Sequence, residues 1–158
     1  MGFPKKTLLG VPWRVALAMI DDGWTLRQEI IWNREGAFFD ANVEDRPHRM
    51  HETIFMFSRS RRYAYSQPED DRSVWTFSQE RSFREHVAPF PAELAERCIT
   101  RGAPAGGMVL DPFGGAGTVG LVADRVGRDA TLIELNPQFA EIARRRIRGD
   151  APLFAEVS

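Results

Sequence analysis

A chain of 158 residues with 43% hydrophobic side chains has the length of one domain and enough apolar material for a core. Its 21 basic and 22 acidic residues nearly cancel, so no global field favours a nucleic-acid or membrane partner and any basic face must be local. The single cysteine, Cys98, excludes an intramolecular disulfide framework, no Cys/His cluster has zinc-ligand spacing, and no apolar run approaches the roughly 20 residues of a bilayer span. An ordinary reducing cytoplasm fits, with no membrane partner. The opening "MGFPKKTLLG" has no secretory apolar region.

Pro12 suits the first turn of a helix, and Trp13, Ala16, Leu17 and Ile20 follow at i, i+3, i+4 and i+7, so 12–21 is an expected amphipathic helix. "DDG" stops it, and "WTLRQEIIW" (24–32) has the aromatic and β-branched enrichment of a strand. Residues 33–50 lack periodicity and read as a long surface loop. "ETIFMFS" (52–58) is a continuous apolar run expected to form a strand, with "RRYAYS" pairing to it after a turn. Residues 66–86 are polar, with a short strand expected around Trp75 and Phe77. "PAELAERCITRG" (91–102) reads as a helix with Leu94, Ala95, Cys98 and Ile99 on one face, which makes Cys98 a packing residue rather than a nucleophile.

Strand 107–113, a glycine loop, helix 117–126, strand 129–135 and helix 136–147 then form one βαβα unit. The last helix turns Phe139, Ile142 and Ala143 inward, and its "RRRIR" suits the negative end of a helix dipole, a solvated end rather than a nucleic-acid patch. The fold class is therefore α/β.

The loop "VLDPFGGAGTVG" (109–120) carries the chemistry. Glycines between a strand and a helix let backbone approach a ligand, and the helix offers unpaired N–H groups. A P-loop would need a Gly-Lys-Ser/Thr ending, and no lysine follows. A dinucleotide fingerprint is matched only as Gly115, Gly117 and Gly120. Asp111 at the strand end repels a pyrophosphate but accepts hydrogen bonds from an ammonium or hydroxyls, which favours a cationic, phosphate-free ligand such as S-adenosylmethionine. Glu134, 23 residues on at the end of the next strand, stands where a carboxylate takes ribose hydroxyls. The plain alternative is an α/β core with glycines for packing.

The chain resembles the DNA amino-methyltransferases of restriction-modification and phage origin, and more narrowly their β-class, in which the catalytic motif precedes the cofactor loop. The resemblance runs through "LLGVPWRVALAMIDDGWTLRQEIIWNR" (8–34), "DRPHRMHETIFMFSRSRRYAY" (45–65), "HVAPFP" (86–91), "VLDPFGGAGT" and "IELNPQFAEIARRRI", several motifs in one order. It implies a Rossmann-like S-adenosylmethionine-dependent methyltransferase fold over 1–158, a single partial domain, acting on double-stranded DNA. It further implies that Asp111, Phe113, Gly114, Gly115, Gly117 and Thr118 wrap S-adenosylmethionine, that Glu134 holds the ribose, and that Phe90 and Pro91 lie against the methionine side.

The family's (D/N/S)-P-P-(Y/F/W) motif, whose acid or amide and proline carbonyl take the amine hydrogens of a flipped base, has no counterpart: no Pro-Pro pair occurs in the 158 residues. The resemblance places its strand between the cofactor-loop strand and 25–32, so an N-terminally incomplete fold is expected, with a central gap open on both sides. An upstream segment or a second polypeptide would supply the motif; no catalytic residue is assigned within the chain. Arg46, His48 and Arg49 in the long loop and Arg59, Arg61 and Arg62 after a strand are candidate phosphate contacts, as surface residues equally are, and 66–86 is a candidate DNA-contact insert. His51 and Glu52 read as structural rather than as an acid/base pair. A methyltransferase completed by another segment, a non-catalytic remnant or subunit that binds cofactor or DNA, and, more distantly, a nicotinamide oxidoreductase are the readings that remain.

Overall fold

The computed structural model describes residues 2–35, 43–78 and 90–150. Within the segments expected above, 36–42 of the long loop, 79–86 of the insert and 86–89 of "HVAPFP" lie outside the described residues. The element order is α1 (Val11–Asp21), β1 (Thr25–Glu35), β2 (His51–Ser58), β3 (Val74–Ser78), α2 (Ala92–Gly102), β4 (Met108–Asp111), α3 (Thr118–Arg125), β5 (Asp129–Leu132) and α4 (Pro137–Asp150). The α/β class holds. The strands fall into two sheets, β2-β1-β3 and β4-β5, and the chain divides into two compact units.

In the first unit, α1 starts from left-handed Gly10 with a proline in its first turn. It ends where Asp22 N–H returns to the Ala18 carbonyl at 3.0 Å and Gly23 turns left-handed at φ 88°. Of the expected inward stripe only Ala16 is fully buried; Trp13, Leu17 and Ile20 remain 43%, 56% and 41% exposed. Trp13 sets its ring edge-on against Phe55 of β2, centroids 4.8 Å apart. β1 runs antiparallel to β2 from Thr25↔Ser58 to Asn33↔His51, with one irregularity between Leu26 and Gln28. Ile30 and Trp32 are buried at the period-two spacing of a strand.

Two expectations are corrected here. "RRYAYS" forms no strand against β2: Arg59–Arg62 bend away and the Tyr63 hydroxyl accepts from Arg27 Nε at 2.8 Å. Nor is β1 open on its second side, because β3 flanks it, with the Ile31 N–H donating to the Ser73 carbonyl at 2.8 Å. The physical reason is that the expected short strand around Trp75 needs a sheet to bury this ring, and β1 supplies the edge. The strand also takes up 33–35, so the long loop begins later than expected.

In the second unit β4 and β5 pair in parallel, Met108↔Asp129 through Asp111↔Leu132, joined by α3 as the βαβ rhythm requires. Ala95 and Ile99 of α2 pack with Val122 and Ala123 of α3, and Val109 of β4 leans on this cluster. Met108 and Leu110 alternate to the other face, where they are 65% and 61% exposed. Cys98 is exposed rather than on the packed face, because α3 meets the Ala95–Ile99 stripe and leaves its neighbour uncovered. Desolvation nevertheless pushes its thiol up, against the lowering pull of Arg101 and Arg97.

Candidate cofactor site

The site begins where β4 ends. Asp111 Oδ1 accepts the Phe113 N–H at 2.9 Å, a side-chain turn that bends the chain out of the strand sooner than the expected 113. Beyond the ladder, Ile133 N–H still donates to the Asp111 carbonyl at 2.9 Å and Gly114 N–H to the Ile133 carbonyl at 2.8 Å. Gly117 N–H closes the turn onto the Gly114 carbonyl at 2.8 Å. Gly115 and Gly117 are left-handed, φ 52° and 80°, which few other residues adopt cheaply.

Close approach is the second demand on these glycines. A Cβ at Gly114 would stand 3.0 Å from Leu132 Cβ, and one at Gly117 only 2.7 Å from Ala143 Cβ on α4. The packing role of the glycines is therefore real, and it holds the loop backbone against β5 and α4. Thr118 is the first residue of α3, whose N-terminus follows left-handed Gly117 without a side-chain cap. Phe113 is 87% exposed.

Glu134 lies two residues past β5 rather than on its last rung. Its Oε2 accepts the Gly115 N–H at 2.8 Å and its Oε1 the Asn136 N–H at 2.7 Å. The carboxylate thus spans from its own turn to the glycine loop. Both carboxylate oxygens are therefore anchored to backbone on the two sides of the turn, which fixes the group's orientation at the loop. A phosphate seeking the Gly115 N–H would meet a negative charge already there. This geometry disfavours the dinucleotide reading on electrostatic grounds.

One residue of the loop's surroundings was not singled out by the sequence. Arg146 of α4 donates from Nη1 to the Ala116 carbonyl at 2.6 Å and lies 3.5 Å from the Thr118 hydroxyl. It is half-buried, unlike exposed Arg144, Arg145 and Arg148 in the same run. The reading of the run as a solvated helix end holds for those three and is corrected for Arg146. The only available signal was its place three residues after Ala143, on the face that packs against Gly117.

Phe90 and Pro91 stand at the entry of α2, Pro91 as its buried N-cap residue and Phe90 37% exposed. In the other unit, Arg46, His48, Arg49, Arg59, Arg61 and Arg62 are all exposed. Some of these side chains have structural work: Arg46 donates to the Pro47 carbonyl at 3.5 Å, Arg49 reaches Glu52 at 3.7 Å, and Arg59 donates to the Asp22 carbonyl at 3.0 Å while lying over Trp24. The Arg49–Glu52 pair and the His51↔Asn33 register fit the structural reading of His51 and Glu52. Among the described residues no His/Cys/Asp/Glu group could hold a metal, and no helix is long and apolar enough to cross a membrane.

A family model described as DNA methylase matches residues 4–145. The Type II methyltransferase M.XycI of Xanthomonas campestris pv. cyanopsidis is 42% identical over 160 residues, covering 94% of this chain and 53% of its own length. The cytosine-N4-specific PvuII DNA methyltransferase shares the fold, with a TM-score of 0.80 over 99% of this chain and 62% of that one, at 22% identity. TTHA0409 of Thermus thermophilus, solved in complex with S-adenosyl-L-methionine, superimposes with a TM-score of 0.67 at 25% identity, over 92% of this chain and 62% of its own. The chain spans about half the length of the curated relatives it matches this well. The α/β fold is that of the S-adenosylmethionine-dependent methyltransferases, and the chain belongs to the N6/N4 DNA methylase family.

Proposed function

We propose that the chain forms the methyl-donor half of a site-specific DNA methyltransferase that modifies the exocyclic amine of adenine or cytosine. The observation that carries this reading is the Glu134 carboxylate on the Gly115 N–H at 2.8 Å, close after Asp111 at the strand end. A loop ringed by two acids suits an adenosyl cation and repels a pyrophosphate. Glu134 takes the ribose hydroxyls, Asp111 faces the charged methionine portion, and Phe113 with Thr118 and the glycines closes round the ligand. Phe90 and Pro91 lie against the methionine side. S-adenosylmethionine, held by these residues, would supply an electrophilic methyl group for the exocyclic amine.

Double-stranded DNA is the macromolecular substrate, with Arg46, His48, Arg49, Arg59, Arg61 and Arg62 as its phosphate contacts, in the cytoplasm. Localising the amine lone pair requires acceptors of the Pro-Pro type, and the 158 residues contain no Pro-Pro pair. That observation favours a second form of the reading, a cofactor-binding subunit whose catalytic motif comes from another segment or polypeptide. The test is equilibrium dialysis with labelled S-adenosylmethionine. Asp111→Ala and Glu134→Ala are each expected to weaken uptake at least tenfold in a chain that stays folded by circular dichroism. Unchanged affinity in both variants overturns the assignment.

A further inference from the structure

Four arginines crowd the end of α4, and one of them faces inward. Arg146 sits three residues beyond Ala143, whose Cβ lies 2.7 Å from where a side chain on Gly117 would begin. That contact brings α4 against the loop, and the guanidinium closes on it: Nη1 to the Ala116 carbonyl at 2.6 Å and to the Thr118 hydroxyl at 3.5 Å. The two partners bracket Gly117, the left-handed residue that turns the loop into α3.

The placement runs against the helix dipole. The N-terminus of α3 carries partial positive charge, and a cation beside it is mildly unfavourable. A solvated arginine would swing away, as Arg145 is free to do from its exposed position on α4. What offsets the penalty is a charge-assisted bond to a carbonyl, roughly twice as strong as a neutral one. On the preceding residue, Glu134 takes the Gly115 N–H at 2.8 Å. Neighbouring residues of the loop are therefore gripped by opposite charges reaching in from different elements.

We infer that Arg146 is a positioning residue for the methyl-donor site, fixing the Ala116–Gly117 peptide so that the loop meets its ligand preorganised. The inference rests on the proposed function for the identity of the ligand, while the tether itself stands independently of it. Rigid presentation of the backbone lowers the ordering cost of binding.

The experiment uses the full chain with Arg146→Met, Arg146→Lys and, as a control on the same helix, Arg145→Met. Amide hydrogen exchange is measured first without any ligand. R146M is expected to speed exchange at least tenfold across 114–118 while leaving α2 unchanged, R146K to restore part of the protection, and R145M to match the parent chain. Dialysis with S-adenosylmethionine should then show affinity at least tenfold weaker for R146M, with R146K intermediate and R145M within twofold. Unchanged exchange at 114–118 in R146M overturns the tether, and unchanged affinity with faster exchange overturns the positioning role. If the parent chain takes up no S-adenosylmethionine, the proposed function fails, and the exchange result still decides whether Arg146 holds the loop. Should R146M not fold, Arg146→Gln is read by the same exchange criterion.

Discussion

Gly117 combines the two demands a glycine can answer. Its φ of 80° would cost another residue roughly 1–2 kcal/mol. Its absent side chain also faces Ala143 Cβ at 2.7 Å and Ala143 Cα at 3.0 Å, atoms that no rotamer change can move. Gly120 differs: its nearest obstacles are the tips of Ile147 and Leu132, both at 2.9 Å, which can rotate aside. Gly117→Ala is therefore expected to lower the melting temperature by roughly 5 °C or more and to weaken S-adenosylmethionine uptake, and Gly120→Ala to do clearly less. Scanning calorimetry on the two variants checks the order, and equal losses would contradict it. The glycines and the two acids were legible in the sequence because strand, turn and helix signals bracket them within a few residues. Arg146 was not, since Arg144, Arg145 and Arg146 are identical in type and only the packing of α4 decides which one turns inward.

Elements in the second unit are tied by a polar cluster. Arg101 near the end of α2 donates from Nε to Asp71 Oδ1 at 2.9 Å, the two side chains being 14% and 5% exposed, and the Tyr65 hydroxyl donates to Asp71 Oδ2. The Ser66 N–H adds a bond to the Arg101 carbonyl at 2.9 Å, which fastens 64–71 to the helix. Burial pushes the Asp71 carboxyl up, but the hydrogen bonds from Tyr65 and Arg101 and the arginine's charge outweigh it and hold the group below its ordinary value. A carboxylate depressed in the folded state stabilises the fold above its unfolded pKa of about 3.9, and that contribution is lost as pH falls through the folded value. Burial first, and then the Asp71 hydrogen bond and charge, raise Tyr65, so its contribution is complete below about pH 10 and fades as pH rises past it. Asp71→Asn removes the buried carboxylate to which Arg101 and Tyr65 donate and is expected to cost ~3 kcal/mol at neutral pH, with the difference from the parent shrinking below about pH 4. Urea titrations across that acid range and up to neutrality measure this, and a pH-independent difference would contradict it. The cluster eludes sequence reading for the same reason that "RRYAYS" forms no strand where its pattern suggests one: Asp71 and Arg101 meet across 30 residues, and local pattern says nothing of a tyrosine hydroxyl's distant partner.

For the molecule as a whole, the βαβα unit and the family were readable because the cofactor segments are contiguous. Of the acceptor chemistry, the sequence shows only that no Pro-Pro pair occurs in the 158 residues. β4 has β5 on one side, and among the described residues no strand flanks its other edge, while Met108 and Leu110 leave 65% and 61% of their surfaces exposed on one face. An unpaired strand edge with apolar neighbours is a place where another strand can add. We expect the chain alone to bind the methyl donor yet transfer no methyl group to mixed-sequence duplex DNA, because its 158 residues contain no Pro-Pro pair of the kind that accepts the amine hydrogens of a flipped base. Addition of a polypeptide bearing a (D/N/S)-P-P-aromatic strand should start transfer. Incubation with labelled S-adenosylmethionine and filter-bound DNA measures both arms. Robust incorporation by the chain alone would mean that residues already present perform the acceptor role, and incorporation in neither arm would mean that β4 is not the edge on which the catalytic strand is received.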